Sequence, residues 1–379
     1  MTSWLWVVAI SSGVLLWTWI LYPIVMWLVS RGFSVSLSEP QSPLPVVTAV
    51  LATRDDVETI AARVEDFFTT TYPLDRLSVV VGVDAATPAM LDAIRTACGS
   101  RPVVITQADA PGGKPSGLNA AVRSASGDIL VFSDAQQRFA PDAIGLLVDR
   151  LRQDSRLAAV GGALQLPGDR PGAKGRSPVE WYWAMERQLR AAEARVHSSV
   201  GLSGSIYAMW RHEWQPMPDH LILDDVWLPM RLVLRGRRVG YDLAAHAWDA
   251  RRTNVAQERL RKVRTLTGNF QLIAWLPSVL MPIRNPIWLQ FVSHKVCRLF
   301  TPWMVLALMI GCAGAMSAWV PPAFLSAVLI SILAGIIAIS VTPKARTMTI
   351  RALSWGWSLQ MAVAEATVNG LRGRWNVWR

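Results

Sequence analysis

Residues 299–343 form a stretch of 45 consecutive residues without Asp, Glu, Lys, Arg or His, and Pro321 and Pro322 lie near its middle. A helix needs about 20 mostly apolar residues to cross a bilayer, so this stretch predicts two spans joined by a tight turn. A second uncharged stretch covers Trp4–Val29. The long segment between them has the composition of a soluble domain, so we predict a soluble domain anchored to a membrane.

The basic residues of the chain cluster beside these apolar stretches. The net charge is +11. Many of the basic residues flank the predicted spans: Arg284, Lys295, Arg298, Lys344, Arg346, Arg351, Arg372, Arg374 and Arg379. Basic residues at such positions mark the cytoplasmic face of a membrane, so the charge excess does not indicate a nucleic-acid-binding protein. Cys98, Cys297 and Cys312 have the spacing of neither a disulfide framework nor a zinc site.

The flanking charges also predict a topology. Arg31 follows the first stretch and the second is basic at both ends, which places the middle domain in the cytoplasm at a bacterial inner membrane. A further apolar run, 352–371, is interrupted by Glu365 and either spans the membrane or lies along its surface. The predicted organisation is an N-terminal transmembrane helix over 1–30, a cytoplasmic domain over 45–270, a membrane-interface segment over 271–298, a transmembrane hairpin over 299–343 and a third apolar helix over 352–371.

Short apolar runs alternate with helical patterns in the middle domain. The runs 46–52, 77–83, 103–106 and 129–133 are typical of buried strands, and 56–70, 88–98, 116–126 and 141–153 have the spacing of helices. This alternation predicts an α/β fold with a mostly parallel sheet and helices on both faces. Ligands bind such sheets at the carboxyl ends of the strands.

Charged residues follow three of the predicted strands. Asp84 follows the second strand, Gly112-Gly113-Lys114 follows the third, and Asp134 follows the fourth. Their convergence on one sheet edge predicts a site for a phosphate-bearing ligand, although each aspartate alone could cap a turn or helix. The glycine turn is not a Walker A motif, because Pro115 follows the lysine. It favours a looser diphosphate contact, with Asn119 about one helical turn further on.

The second half of the domain offers further candidates. Gly204 lies in a small-residue turn before a strand, where a glycine lets the backbone approach a ligand. Asp224 and Asp225 open a helical stretch, as helix caps or as a general base with an acidic neighbour. Arg261 and Arg264 share one face of a later helix, for lipid head groups or for a leaving diphosphate.

These motifs, over about residues 45–300, resemble the family 2 glycosyltransferases of GT-A fold, in particular bacterial membrane-bound relatives of cellulose and hyaluronan synthases. The resemblance implies that Asp84 contacts the nucleotide base and that Lys114 to Asn119 flanks the nucleotide-sugar. Asp134 stands in the metal-binding Asp-x-Asp motif, with Gln136 in place of the second aspartate. It also implies that Asp225 is the general base, with Asp224 before it.

Two further motifs of the family match less closely. The Gln-x-x-Arg-Trp motif is represented only by Arg261 and Arg264, which argues against long-chain synthesis. The acid that usually follows the first strand falls on Asp55 or Asp56.

The function implied is an inverting transfer of a hexosyl or N-acetylhexosaminyl group in cell-envelope polysaccharide biosynthesis. The expected donor is a nucleotide-diphosphate sugar, most simply a UDP-sugar. The expected cofactor is Mg²⁺ or Mn²⁺ on Asp134, and the expected acceptor is lipid-linked or a saccharide at the inner membrane face. Two alternatives stay open: a catalytically impaired protein that binds nucleotide-sugar or scaffolds polysaccharide assembly, and a transporter, which the uncharged spans disfavour.

Overall fold

The computed structural model describes residues 2–33, 43–108, 111–169, 178–249, 255–317, 330, 331, 333, 335, 337 and 343–377. The chain forms two compact units. We call Met26–Arg252 with Gln271–Phe291 the sheet unit, and Met1–Val25 with Thr253–Phe270 and Val292–Trp378 the helical unit. The turn of the predicted hairpin and most of its second arm lie outside the described residues.

The described elements include a strand at each of the four predicted apolar runs and a helix at each of the four predicted helical segments, together with further strands and helices. The strands are β1 (Val47–Thr53), β2 (Leu77–Val83), β3 (Val103–Gln107), β4 (Ile129–Ser133), β5 (Gln137–Phe139), β6 (Leu157–Gln165), β7 (Ile206–Trp210) and β8 (Arg238–Asp249). The helices are α1 (Thr2–Leu16), α2 (Tyr22–Ser30), α3 (Val57–Phe67), α4 (Pro88–Cys98), α5 (Lys114–Arg123), α6 (Ala143–Arg152), α7 (Pro178–Val196), α8 (Asp224–Leu234), α9 (Val255–Trp275), α10 (Trp288–Phe291), α11 (Cys297–Ser317) and α12 (Pro343–Leu371).

The strands form one mixed sheet in the order β3-β2-β1-β4-β7-β6-β8-β5. The first four strands are parallel, as predicted. Strand β7 then pairs antiparallel with both β4 and β6, while β6 and β8 are parallel. The α/β class is therefore confirmed, and the sheet is parallel in its first half and mixed in its second.

Three of the four parallel strands, β1, β2 and β4, are buried on both faces, whereas the edge strand β3 is partly exposed. Every residue of β1 and of β4 is buried, and β2 is buried except at Ser78. Strands covered on both faces read as continuous apolar runs rather than as alternating patterns, which is why these strands could be located from the sequence. Their carboxyl ends carry Asp84 and Asp134.

Helix α5 lies unusually close to the sheet. A Cβ on Gly82 of β2 would come 2.2 Å from the carbonyl oxygen of Gly117 in α5. Only glycine at position 82 permits this contact, because any larger residue would clash with the helix backbone. The close packing fixes the first residue of α5, Lys114, against the ends of the strands.

Two continuous helical segments of the described chain are long and apolar enough to cross a membrane. Thr2–Ser30 contains α1 and α2, and Trp288–Met316 contains α10 and most of α11. In the helical unit, α1 packs on α11, where a Cβ on Gly314 would come 2.4 Å from the Trp4 ring. Small residues at such contacts let apolar helices approach each other closely. The predicted apolar run 352–371 forms the later part of α12.

Candidate active site

Asp84 is the carboxylate at the end of β2, and it is almost fully enclosed. Its residue is 4% exposed. Oδ2 accepts hydrogen bonds from Gly113 N at 2.9 Å and from the Arg54 guanidinium, and Oδ1 accepts from Gly112 N at 3.3 Å. The carboxylate therefore ties the glycine turn before α5 to the end of β2, and the half-exposed Arg54 covers its open side.

Lys114 lies among three carboxylates, one at the end of β4 and two in the first turn of α8. Its Nζ donates to Asp134 Oδ1 at 2.8 Å and lies 3.2 Å from Asp224 Oδ2. Burial alone would lower the pKa of Lys114, but Asp134, Asp224 and Asp225 outweigh it and hold that pKa well above its ordinary value. The lysine is thus a fixed cation that links the end of β4 to the start of α8.

Gly204 lies between the lysine and the general-base candidate. A Cβ at this position would be 3.4 Å from Lys114 Nζ, 3.6 Å from Asp225 Cβ and 4.0 Å from Asp225 Oδ2. Absence of a side chain keeps the space over these groups open. The hydroxyl of the neighbouring Ser205 donates to Asp134 Oδ2 at 3.1 Å, so the turn that contains Gly204 also holds the Asp134 carboxylate.

Asp224 and Asp225 occupy the first turn of α8, where the helix dipole stabilises negative charge. Asp224 is buried and faces Lys114, whereas Asp225 is partly exposed. The backbone oxygen of Asp225 accepts from Leu202 N at 2.8 Å, which fixes the start of α8 against the turn that contains Gly204. Of the two acids, Asp225 has the more accessible carboxylate.

A fully buried arginine supports the strand end that carries Asp134. Arg63 of α3 donates through Nη2 at 2.8 Å and Nε at 3.1 Å to Ser133 Oγ, which itself donates to the Asp134 carbonyl. The guanidinium stacks between the rings of Phe67 and Phe139 and is paired with Asp66. Burial lowers the pKa of Arg63 to about 9 despite Asp66, so this cation carries a desolvation cost that its contacts offset.

The loop after β4 is also held by the acid that follows β1. Gln136 donates its amide Nε2 to Asp55 Oδ1 at 2.9 Å, and Asp55 Oδ2 accepts from the Thr53 hydroxyl at 2.6 Å. Asp56, the other candidate for this acid, instead caps α3, where its carboxylate accepts from Thr59 N at 2.8 Å. The structure therefore brings Asp55, and not Asp56, to the candidate site.

Two further side chains, Tyr207 and Arg190, interact with the acidic cluster. The Tyr207 ring stacks on Phe132, and its hydroxyl is buried without a hydrogen-bond partner in the described part of the chain. Burial and the nearby acids raise the pKa of Tyr207 well above its ordinary value. Arg190 of α7 donates to the Leu202 carbonyl at 3.0 Å, and its charge acts on Asp225.

Three further predicted site residues are Asn119 in α5 and the two arginines of α9. The Asn119 amide donates to the Met217 carbonyl at 2.8 Å and accepts from Met217 N at 2.9 Å, so both of its ends hold the chain at residue 217. Its contact with a nucleotide-sugar stays a prediction. Arg261 and Arg264 lie on α9 in the part of that helix that belongs to the helical unit, and their role also stays a prediction.

Sequence reasoning missed Arg63, Arg54 and Ser205. The signal for Arg63 is its place in the apolar stripe of α3, beside Ile60, Val64 and Phe67, where a charge must have a buried partner. Arg54 and Ser205 lie in segments that the sequence singles out, but nothing in the sequence pairs them with Asp84 and Asp134.

Residues 44–268 match the family model described as glycosyltransferase like family 2. The chain belongs to this family. None of the curated proteins compared with it by sequence matches the chain. Among solved structures, the mannosyltransferase PcManGT from Pyrobaculum calidifontis, in complex with GDP-Man and Mn²⁺, is similar over 97% of this chain and 99% of its own, with a TM-score of 0.70 and 20% identity.

Two other solved structures match over about two thirds of the chain. GalNAc-T7 with UDP, GalNAc and Mn²⁺ covers 66% of this chain and 53% of its own, at a TM-score of 0.45 and 13% identity. A mycobacterial protein covers 66% and 77%, at a TM-score of 0.43 and 16% identity. The first match confirms the predicted GT-A fold, and the narrower likeness to cellulose and hyaluronan synthases stays a prediction.

Proposed function

We propose that this glycosyltransferase transfers a sugar, with inversion, from a nucleotide-diphosphate sugar to a hydroxyl group of an acceptor at the inner face of a bacterial membrane. The observation that carries the proposal is the contact of Lys114 with Asp134 and Asp224, beside Asp225, at the carboxyl ends of the strands. Glycosyl transfer needs a cation near the diphosphate and a carboxylate near the acceptor hydroxyl, and this cluster supplies both.

The donor lies across the strand ends in this proposal. Its base approaches Asp84 and Arg54, and its diphosphate approaches Lys114 and the glycine turn before α5. Lys114 stabilises the charge that develops on the departing nucleoside diphosphate. Arg261 and Arg264 are proposed to assist at the same stage.

A divalent cation fits these residues. Among the described residues no three His, Cys, Asp or Glu side chains are grouped to hold a metal, but Mg²⁺ is commonly held by one or two carboxylates together with substrate phosphates. Asp134 and Gln136 would hold the ion. A diphosphate brings further negative charge to this group of carboxylates, and the cation would balance the charge of the diphosphate.

Asp225 is the proposed general base. It is more exposed than Asp224, and the glycine at position 204 leaves room beside its carboxylate. Asp225 removes the proton from the acceptor hydroxyl while the oxygen attacks the anomeric carbon and the bond to the diphosphate breaks. Asp224 stays paired with Lys114 and fixes the position of the lysine.

The acceptor is proposed to be lipid-linked or part of a polysaccharide, because two helices of the chain are apolar enough to hold it at a membrane. The donor is proposed to carry a hexosyl or N-acetylhexosaminyl group on UDP or GDP; PcManGT was solved with GDP-Man. The competing function is a protein that binds nucleotide-sugar without turnover, and the Gln136 replacement of the usual acid keeps it in consideration.

A donor panel in detergent or nanodiscs tests the proposal. We would follow release of UDP or GDP from UDP-glucose, UDP-GlcNAc, UDP-galactose and GDP-mannose, with membrane lipid extract as acceptor and with or without Mn²⁺. The variant Asp225→Asn should lose about 10²–10⁴-fold in turnover, since a general base contributes that much, while its donor affinity stays near wild type.

The matched control is Asp92→Asn, which changes an exposed aspartate paired with Arg95 on α4. It should turn over at the wild-type rate. Turnover by Asp225→Asn within tenfold of wild type would overturn the role of Asp225, and donor binding without turnover by the wild-type protein would favour the binding protein.

A further inference from the structure

Asp55 and Gln136 meet at the edge of the candidate site from two different strands. Gln136 Nε2 donates to Asp55 Oδ1 at 2.9 Å. Asp55 is itself fixed by Thr53, whose hydroxyl donates to Oδ2 at 2.6 Å and accepts from Asp55 N at 2.9 Å. Asp55 therefore holds the Gln136 side chain, and Thr53, the last residue of β1, holds Asp55.

This contact fixes which end of the glutamine amide is available. An ionised carboxylate can only accept hydrogen bonds, so the nitrogen end of the amide must face Asp55. The oxygen end, Oε1, is left for another partner, and it can serve as a neutral ligand for a hard cation.

Position 136 lies two residues after Asp134, at the site of the second acid of the Asp-x-Asp pattern. A glutamate there, with the same side-chain length as Gln136, would bring its carboxylate against that of Asp55, and like charges so close disfavour ionisation of both. With Gln136 the same contact is a hydrogen bond. The glutamine is thus matched to Asp55, and the acid and amide at these two positions form one unit.

We propose that Asp55 orients Gln136 so that its amide oxygen, together with the Asp134 carboxylate, binds the divalent cation that accompanies the donor diphosphate. Asp55 is a positioning residue in this proposal, because it acts through Gln136. Groups that orient metal ligands in this way typically contribute 10–100-fold to metal affinity. The inference rests on the proposed function, since the cation is the one that enters with the nucleotide-sugar.

The first experiment measures cation affinity without turnover. Equilibrium dialysis of the detergent-solubilised full chain with GDP or UDP gives the Mn²⁺ concentration that half-saturates nucleotide binding. We expect Asp55→Ala and Gln136→Leu each to raise this concentration 10–100-fold. The double variant should be no worse than either single one, because residues that act as a unit are not additive.

The matched control is Glu58→Ala, which removes an exposed acid from the first turn of α3. It should leave the half-saturating Mn²⁺ concentration unchanged. Near-UV circular dichroism of each variant shows whether the fold is intact, and a variant that has lost its fold is replaced by Asp55→Asn. That variant keeps an acceptor for the Gln136 amide and should lose less than Asp55→Ala.

The second experiment transposes the pair. Gln136→Glu keeps the side-chain length and places two carboxylates in contact, so we expect a lower melting temperature in the absence of Mn²⁺. Asp55→Asn combined with Gln136→Glu restores a donor and an acceptor at the same net charge. This double variant should recover the melting temperature and bind nucleotide at a Mn²⁺ concentration no higher than wild type requires.

Unchanged Mn²⁺ dependence in Asp55→Ala would overturn the inference, as would additive losses or a transposed pair no better than Gln136→Glu. In each of these cases the wild-type protein still turns over its donor, so the proposed function stands. Absence of both nucleotide binding and turnover in the wild-type protein would overturn the proposed function and the inference together.

Discussion

The two ends of the candidate site differ in how their charged side chains are paired. Around Asp84 one carboxylate meets one guanidinium and two backbone N–H groups, so its charge is matched and it is almost fully enclosed. Around Lys114 one ammonium meets three carboxylates, and the Asp134 side chain is 35% exposed. The charge of Asp84 in the first region is paired within the protein and closed off from solvent, whereas the second region joins a lysine to several carboxylates and is partly open to solvent, where a ligand can reach it.

This difference predicts which region holds the fold and which performs chemistry. Buried polar groups with complete hydrogen bonds make a structure rigid, and removing one partner leaves the other unsatisfied. A charged, partly exposed cluster is where binding free energy and catalysis arise. Substitutions in the Lys114 region should therefore affect the ligand first, and those around Asp84 should affect stability first.

The largest effect on donor binding is expected at Lys114. Lys114→Met removes the cation that Asp134 and Asp224 contact and leaves their charges facing each other. Loss of one partner from a close charge pair typically costs about 2–5 kcal/mol, so donor affinity should fall by at least about 30-fold. Isothermal titration with a nucleoside diphosphate and Mn²⁺ measures this, and Lys114→Arg, which keeps the charge, serves as the control. Equal affinity in both variants would show that the charge of Lys114 is not needed.

The largest effect on stability is expected at Arg63. This residue is fully buried, and it contacts Ser133 beside Asp134 in the Lys114 region. Arg63→Met leaves Asp66 and Ser133 without their buried partner, and breaking a buried ion pair costs about 3–5 kcal/mol. Urea unfolding should show this loss. Arg101→Met removes an exposed ion pair with Glu65 and should cost no more than about 1 kcal/mol.

Arg63 also tests the link from fold to site. It contacts Ser133, which precedes Asp134, so the conservative Arg63→Lys should fold and yet have a higher KM for the donor at nearly unchanged kcat. A KM equal to that of wild type would show that Arg63 supports stability alone.

The sequence located the ends of β1, β2 and β4 because these strands are buried on both faces and read as apolar runs. That placement brings Asp84, Lys114 and Asp134 to one edge, and Asp224 joins them through its contact with Lys114. The antiparallel pairing of β7 could not be predicted, because a run of buried apolar residues reads the same whether the strand is parallel or antiparallel to its neighbours. The bidentate contact of Asn119 with Met217 joins residues 98 positions apart, and no local pattern indicates such a contact.

The smallest effect on chemistry is expected at Asp84. Asp84→Asn keeps the shape of the side chain and one acceptor oxygen, but it removes the charge that holds Arg54. We expect a stability loss of about 1–3 kcal/mol, the typical cost of a lost hydrogen bond to a charged group, and turnover at saturating donor within a few-fold of wild type. Thermal unfolding and kcat on the same preparation measure both quantities.

Asp134→Asn is the matched comparison, with the same chemical change in the Lys114 region, and there the larger loss should be in donor binding. If Asp84→Asn lost turnover at saturating donor while keeping its stability, the matched region would be the catalytic one and the contrast between the two ends would be wrong.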